Sequence, residues 1–223
     1  MSPSAFSAVV FDLDGVLVDS EVWWNDARID FARRHGRGWT EADQHAVMGA
    51  NSRQWSATMR ERLGLDLANE DIEREIVGAV VARYAAEGPP LIAGAVEVVR
   101  RIARNLPIAV ASSAHRDVID AALAALGLGD AFAVVVSSDD VSHGKPEPDV
   151  YLEAARRLRV PPERCLVVED SRNGVLAARA AGMSVVLVPN AAVPPAPGTR
   201  EAADHVAASI DGILAIVGLP SGA

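Results

Sequence analysis

The sequence predicts an α/β protein, a doubly wound parallel sheet with a Rossmann-like core and an inserted helical cap domain. Three observations predict it. Short runs rich in Val, Ile and Leu recur along the chain and are apolar throughout rather than alternating. Segments with a helical apolar period separate the later runs. A long helical stretch separates the first run from the second. Strands buried on both faces read as continuous apolar runs, and their alternation with helices is the pattern of a parallel sheet covered on both sides. Right-handed crossovers leave few topologies for such a chain.

The first strand is expected over 8–11. From about Asp19 to Glu87 the pattern is helical and holds all four tryptophans, Trp23, Trp24, Trp39 and Trp55, which are read as the core of an inserted domain. Gly88-Pro89-Pro90 is its return linker. The expected division is therefore a catalytic core of residues 1–18 and 88–223 and a helical cap of residues 19–87. Further strands are expected over 108–111, 133–136, 165–168 and 184–188. Between them, 116–126 puts Val118, Ile119, Ala122, Leu123 and Leu126 on one face and stops at Gly127. Segments 149–158 and 172–181 behave alike, the second closed by Gly182. The Pro-rich segment 193–198 reads as an extended surface connection.

Composition narrows the function classes. The chain has 223 residues, half of them hydrophobic, enough for one core plus a smaller inserted unit. A net charge of −9 argues against nucleic acid as a partner, since phosphate backbones call for clustered Lys and Arg. A small anionic substrate stays compatible, because a metal ion and a few cations can invert the local field. Cys165 is the single cysteine and is read as a core thiol, consistent with a reducing compartment. The beginning of the chain lacks a basic region ahead of Asp12 and Asp14 and is not read as a signal peptide. No apolar run reaches the roughly 20 residues that span a bilayer. The expectation is a cytoplasmic protein with no membrane partner, a monomer by default.

Ligands of doubly wound sheets bind beyond the carboxyl ends of the strands, so the polar residues following each apolar run carry the argument. Asp12-Leu13-Asp14-Gly15 follows the first, Ser112-Ser113 the second, and Glu169-Asp170-Ser171 the fourth; a loop after the third leads to Lys145-Pro146. Residues i and i+2 of an extended segment face one side, so Asp12 and Asp14 share a small volume and repel each other. With Asp170 they form an oxygen-rich cluster suited to Mg²⁺. Val16 falls where a calcium loop would need a polar ligand. Ser112 is equally explained as a helix cap. Lys145, stiffened by Pro146 and Pro148, can neutralise the carboxylates and grip a phosphate oxygen. Glu169 either supports metal-bound water or orients Lys145. His35, His45, His115, His143 and His205 show no zinc spacing and are read as surface or local structure.

These signals in this order resemble the haloacid dehalogenase superfamily of phosphotransferases. VVFDLDGVLVDS (9–20) looks like its first motif, Ser112 its second, Lys145 in GKPEPD its third, and Asp170 in VVEDSRNG its fourth. The insert after the first motif is similar to the small helical cap of the branch that includes β-phosphoglucomutase and phosphoglycolate phosphatase. The resemblance implies a magnesium-dependent phosphatase acting on a small phosphorylated metabolite. Asp12 would be the nucleophile that forms an aspartyl phosphate, and Asp14 the acid and then the base. Asp12, the Asp14 carbonyl and Asp170 would hold Mg²⁺. Ser112, Ser113 with the neighbouring main-chain amides, and Lys145 would bind the phosphoryl group.

Two positions bear on subtype. Trp24 stands where sugar phosphomutases of the family carry a histidine that assists the acceptor hydroxyl, which favours hydrolysis over the alternative, a β-phosphoglucomutase-type mutase. Gly49-Ala50-Asn51-Ser52-Arg53 resembles the cap loop that dips into the site, making Arg53 a candidate for a second anionic or hydroxyl-rich end of the substrate. A signalling receiver domain would need a phospho-acceptor on the third strand and no insert after the first. A catalytically dead binding protein would be expected to lack a motif residue.

Overall fold

The computed structural model describes residues 5–47, 50–190 and 194–220. Gly49 of the expected cap loop and Val193 at the start of the Pro-rich segment lie outside the described residues. The chain runs β1 (Ala8–Phe11), then α1 (Glu21–Arg34), α2 (Glu41–Val47), α3 (Ser52–Leu63) and α4 (Asn69–Glu87), all before a second strand. There follow α5 (Ala95–Ala103), β2 (Ile108–Ser112), α6 (Arg116–Ala125), β3 (Val134–Ser137), α7 (Asp149–Leu158), β4 (Cys165–Glu169), α8 (Arg172–Ala180) and β5 (Ser184–Leu187). Two short helices, α9 (Thr199–Ala202) and α10 (Ile213–Ile216), flank a two-residue strand, β6 (His205–Val206).

The six strands form one sheet in the order β3-β2-β1-β4-β5-β6, every pair parallel. The five expected strands are all present, with ends shifted by no more than one residue. The sixth was not expected: His205 and Val206 are exposed, so β6 carries no buried apolar run to announce it. Helix α5 was not anticipated either, though Ala95, Val98, Val99 and Ile102 make it amphipathic and bury one face.

Period-2 alternation divides the interior into two layers. Val9, Phe11, Ile108, Val110, Leu166 and Val168 face one core, shared with α5 and α6. Ala8, Val10, Ala109, Ala111, Cys165 and Val167 face the other, shared with α7 and α8. All six strand residues on each side are essentially inaccessible, which is why these runs read as unbroken apolar sequence. Cys165 is buried as expected, and burial pushes its thiol up to about 11, so it is an unreactive packing group.

The first core continues from the sheet into the inserted helices. Trp23, Trp24, Phe31, Trp55, Met59, Ile72 and Ile76 are buried in it. Trp23 stands edge-on to Tyr84 at 5.0 Å, and Trp24 edge-on to Trp55 at 6.1 Å. Helix α3 starts at a reciprocal cap in which Asn51 accepts from Gln54 N while Gln54 accepts from Asn51 N; it ends at Gly64 in left-handed conformation. The chain leaves and re-enters the sheet layer side by side. Asp19 N donates to Pro90 O at 2.8 Å, and Val18 bridges Leu91. None of the described helices is long and apolar enough to cross a membrane.

Candidate active site

β1, β2 and β4 all end at one sheet edge, and their next residues meet there. Asp12 N still follows the ladder, donating to Val168 O at 3.0 Å. Gly15 then turns the chain back at φ +79°, a left-handed geometry in which glycine is unstrained. Asp170 fills the space beside it: a Cβ on residue 15 would fall 1.9 Å from Asp170 Oδ2.

Lys145 is the centre of the arrangement. Its Nζ lies 2.8 Å from Asp12 Oδ1 and 2.7 Å from Glu169 Oε1, and it is 6% exposed. Glu169 is fully buried and saturated. Its Oε1 also accepts from Tyr151 Oη at 2.8 Å, and its Oε2 accepts from Asp170 N, Ser171 N and Ser171 Oγ, each at 2.9 Å. These bonds tie Glu169 to Lys145 and to the turn after β4. Gly174 is required opposite it, since a Cβ there would overlap Glu169 Oε1 at 1.6 Å.

Asp14 accepts a hydrogen bond from Ser20 Oγ, at the start of α1. Ser112 Oγ accepts from Ala114 N at 3.0 Å in the turn after β2, while the cap of α6 is His115, whose ring accepts from Asp117 N; Ser112 and Ser113 both line the same cavity as Asp12. Ser137 and Ser138 hold that loop by donating to Ala114 O and Ser113 O at 2.7 and 2.9 Å. The cavity is lined from below by Asp12, Asp14, Ser112, Lys145 and Asp170, and from above by Glu21, Trp24, Arg28, Val47, Ala50 and Trp55 of the insert. Arg53 is exposed on α3 and is not among its lining residues. The wall instead holds Arg28, unnoticed because it sits in an ordinary polar stretch of helix.

Four carboxylates, those of Asp12, Asp14, Glu169 and Asp170, crowd around a single lysine, and burial, then their mutual charge, sets their protonation. Burial pushes Asp12 up to about 7 against the pull of Lys145, and pushes Asp14 up to about 6 against the Ser20 hydrogen bond. Burial, then the charges of Glu169 and Asp12, hold Asp170 well above the carboxylate range. Glu169 goes the other way: burial opposes its charge, but Lys145 and the converging donors hold it ionised. Oxygens of Asp12, Glu169 and Asp170 lie within 4.8 Å of one another. With Glu169 saturated, Asp12 and Asp170 keep oxygens for a cation, and an all-oxygen, over-negative donor set fits a hard divalent ion such as Mg²⁺.

A model of the haloacid dehalogenase-like hydrolases matches residues 6–182. The chain belongs to this family. Among curated haloacid dehalogenase-like proteins it is similar to fructose-1-phosphate phosphatase YqaB of Escherichia coli, 33% identical over 181 residues, 81% of this chain and 95% of that one. It is also 32% identical over 186 residues to the bifunctional riboflavin kinase/FMN phosphatase of Arabidopsis thaliana, covering 82% of this chain but spanning only 48% of that protein's length. A crystal structure of CbbY from Rhodobacter sphaeroides in complex with phosphate superposes with a TM-score of 0.81 at 26% identity, over 96% of this chain and all of that one. Its relatives set it among the phosphatases of this family.

Ser20, Tyr151 and Arg28 escaped the sequence reading. Ser20 and Tyr151 carried a usable signal, being six residues beyond Asp14 and Lys145, near enough to fold back on a turn and a helix start.

Proposed function

We propose that this protein hydrolyses the phosphate monoester of a small sugar or polyol through an aspartyl phosphate on Asp12. The observation that carries the reading is Lys145 held between Asp12 and Glu169, with Asp14 and Asp170 beside it, under a lid of cap tryptophans. Fructose 1-phosphate and FMN, named in two relatives, are both phosphate esters of a primary alcohol on a hydroxylated carbon chain. We assign residues 19–87 as the cap and residues 1–18 and 88–223 as the core.

In this scheme an Asp12 oxygen attacks phosphorus, and the bond between phosphorus and the ester oxygen breaks. Asp14, raised to about 6 and so able to carry a proton near neutrality, delivers it to the departing alcohol oxygen. The phosphoryl oxygens are gripped by Lys145, Ser112, Ser113 and the adjacent main-chain amides. Water then attacks phosphorus of the aspartyl phosphate, Asp14 takes its proton, the Asp12 carboxylate is regenerated, and phosphate leaves. Mg²⁺, held by Asp12, Asp170 and the Asp14 carbonyl, would neutralise charge between the carboxylates and the phosphoryl group. Trp24 has one N–H donor and no basic nitrogen, so it does not replace the histidine of a mutase, and no histidine is among the described residues that line the cavity.

A screen of sugar and polyol monophosphates with Mg²⁺ and with chelator tests the proposal. Phosphate release that depends on Mg²⁺ is expected; sugar phosphate isomerisation primed by a bisphosphate, with little free phosphate, would overturn it in favour of the mutase.

A further inference from the structure

Arg28 is a buried cation with no counter-ion in contact among the described residues. It is 5% exposed, its guanidinium carbon lies 5.3 Å from the Trp24 ring centroid and 5.5 Å from that of Trp55, and its Nε has no hydrogen-bond partner among the described residues. Its Nη1 donates to Gln44 Oε1 at 3.3 Å. Gln44 is fixed in turn, accepting from Trp39 Nε1 at 3.2 Å and donating through Nε2 to Glu21 Oε1 at 2.7 Å. Arg28 and Glu21 therefore stand in one cavity wall, joined through an amide and with no ion pair between them. Burying a guanidinium unpaired is costly, and stacking on two indoles offsets only part of the cost. A fold that holds such a group facing its active-site cavity has left it for a ligand.

We propose that Arg28 and Glu21 together read hydroxyl groups of the leaving alcohol, so that the enzyme selects uncharged polyol and sugar monophosphates over substrates with a second anionic group. The inference rests on the phosphatase reading above and names what the cap recognises. A ligand bridging the two must accept from Arg28 and donate to Glu21. A carboxylate or second phosphate accepts but cannot donate, and it would face Glu21 and Asp19, which also lines the cavity. An ammonium donates but cannot accept, and it would face Arg28. A hydroxyl does both, and neighbouring hydroxyls on a carbon chain can serve one partner each. Trp24 and Trp55 give the C–H face of such a chain an apolar wall.

The test compares kcat/KM for a hexitol 6-phosphate, a hexose 1,6-bisphosphate and butyl phosphate in the wild type, Arg28→Met, Arg28→Lys and Glu21→Gln, with melting curves to confirm folding. The wild type is expected to prefer the hexitol phosphate over both others. Loss of charge-assisted hydrogen bonds should cut kcat/KM for the hexitol phosphate by about 10–100-fold in Arg28→Met and Glu21→Gln, with butyl phosphate changed by less than about threefold. Arg28→Lys should recover part of the loss. Equal losses on both substrates, or wild-type preference for the bisphosphate, would overturn the assignment. Calorimetric binding of the hexitol phosphate to Asp12→Asn, with and without Arg28→Met, separates this failure from failure of the phosphatase reading. If no substrate is hydrolysed, binding that weakens on loss of Arg28 still supports the hydroxyl reader, and unchanged binding overturns it.

Discussion

Asp170 and Gly15 exclude one another's side chains: Oδ2 of Asp170 occupies the place, within 1.9 Å, where a β-carbon on residue 15 would stand. Gly15→Ala must move a proposed metal ligand and also hold φ near +79°, which costs an L-residue about 1–2 kcal/mol. The expected outcome is a modest fall in melting temperature with a large rise in the Mg²⁺ concentration needed for half-maximal rate. A variant with normal Mg²⁺ dependence would remove Asp170 from the metal site.

Lys145 is 4% exposed at its side chain and bonds two carboxylates. Lys145→Met leaves the buried Glu169 charge without its cation, while Asp12 protonates, and should cost about 3–5 kcal/mol in urea unfolding. Adding Glu169→Gln to it should restore part of that stability, because one uncompensated charge is gone. It should not restore kcat, because the phosphoryl oxygens still lack their cation. Parallel recovery of both would make Lys145 a structural residue alone.

Metal-free protein should lose stability as pH rises from about 4 to about 7. Asp12 and Asp14 stand at about 7 and about 6 against an ordinary 3.8, so across that window the folded chain holds more protons than the unfolded one. Linkage then makes unfolding easier with each step upward in pH. Mg²⁺ should reverse the trend near neutrality, and Asp12→Asn should flatten it. Melting curves from pH 4 to pH 8, with and without Mg²⁺, check this; a metal-free stability that climbs over the same range would contradict it.

The sheet was legible because its strands are buried on both faces, leaving unbroken apolar runs such as 165–168. The core site was legible because residues at strand ends are placed by topology alone: Asp12, Ser112 and Asp170 needed only the strand order to meet. The cap was not legible to the same depth. Arg28 and Arg53 are both helix arginines in sequence, and which one faces the cavity depends on how α1 and α3 pack over the sheet edge. β6 was missed since two exposed residues leave no pattern.

Rapid acid quench during turnover, followed by borohydride reduction and peptide mass mapping, tests whether Asp12 takes the phosphoryl group. Label on Asp12 alone is predicted, absent in Asp12→Asn, which should be folded, inactive and at least as heat-stable as wild type because one repelling charge is gone. Undiminished phosphate release by a clean Asp12→Asn preparation, or label on another residue, would rule out Asp12 as the nucleophile.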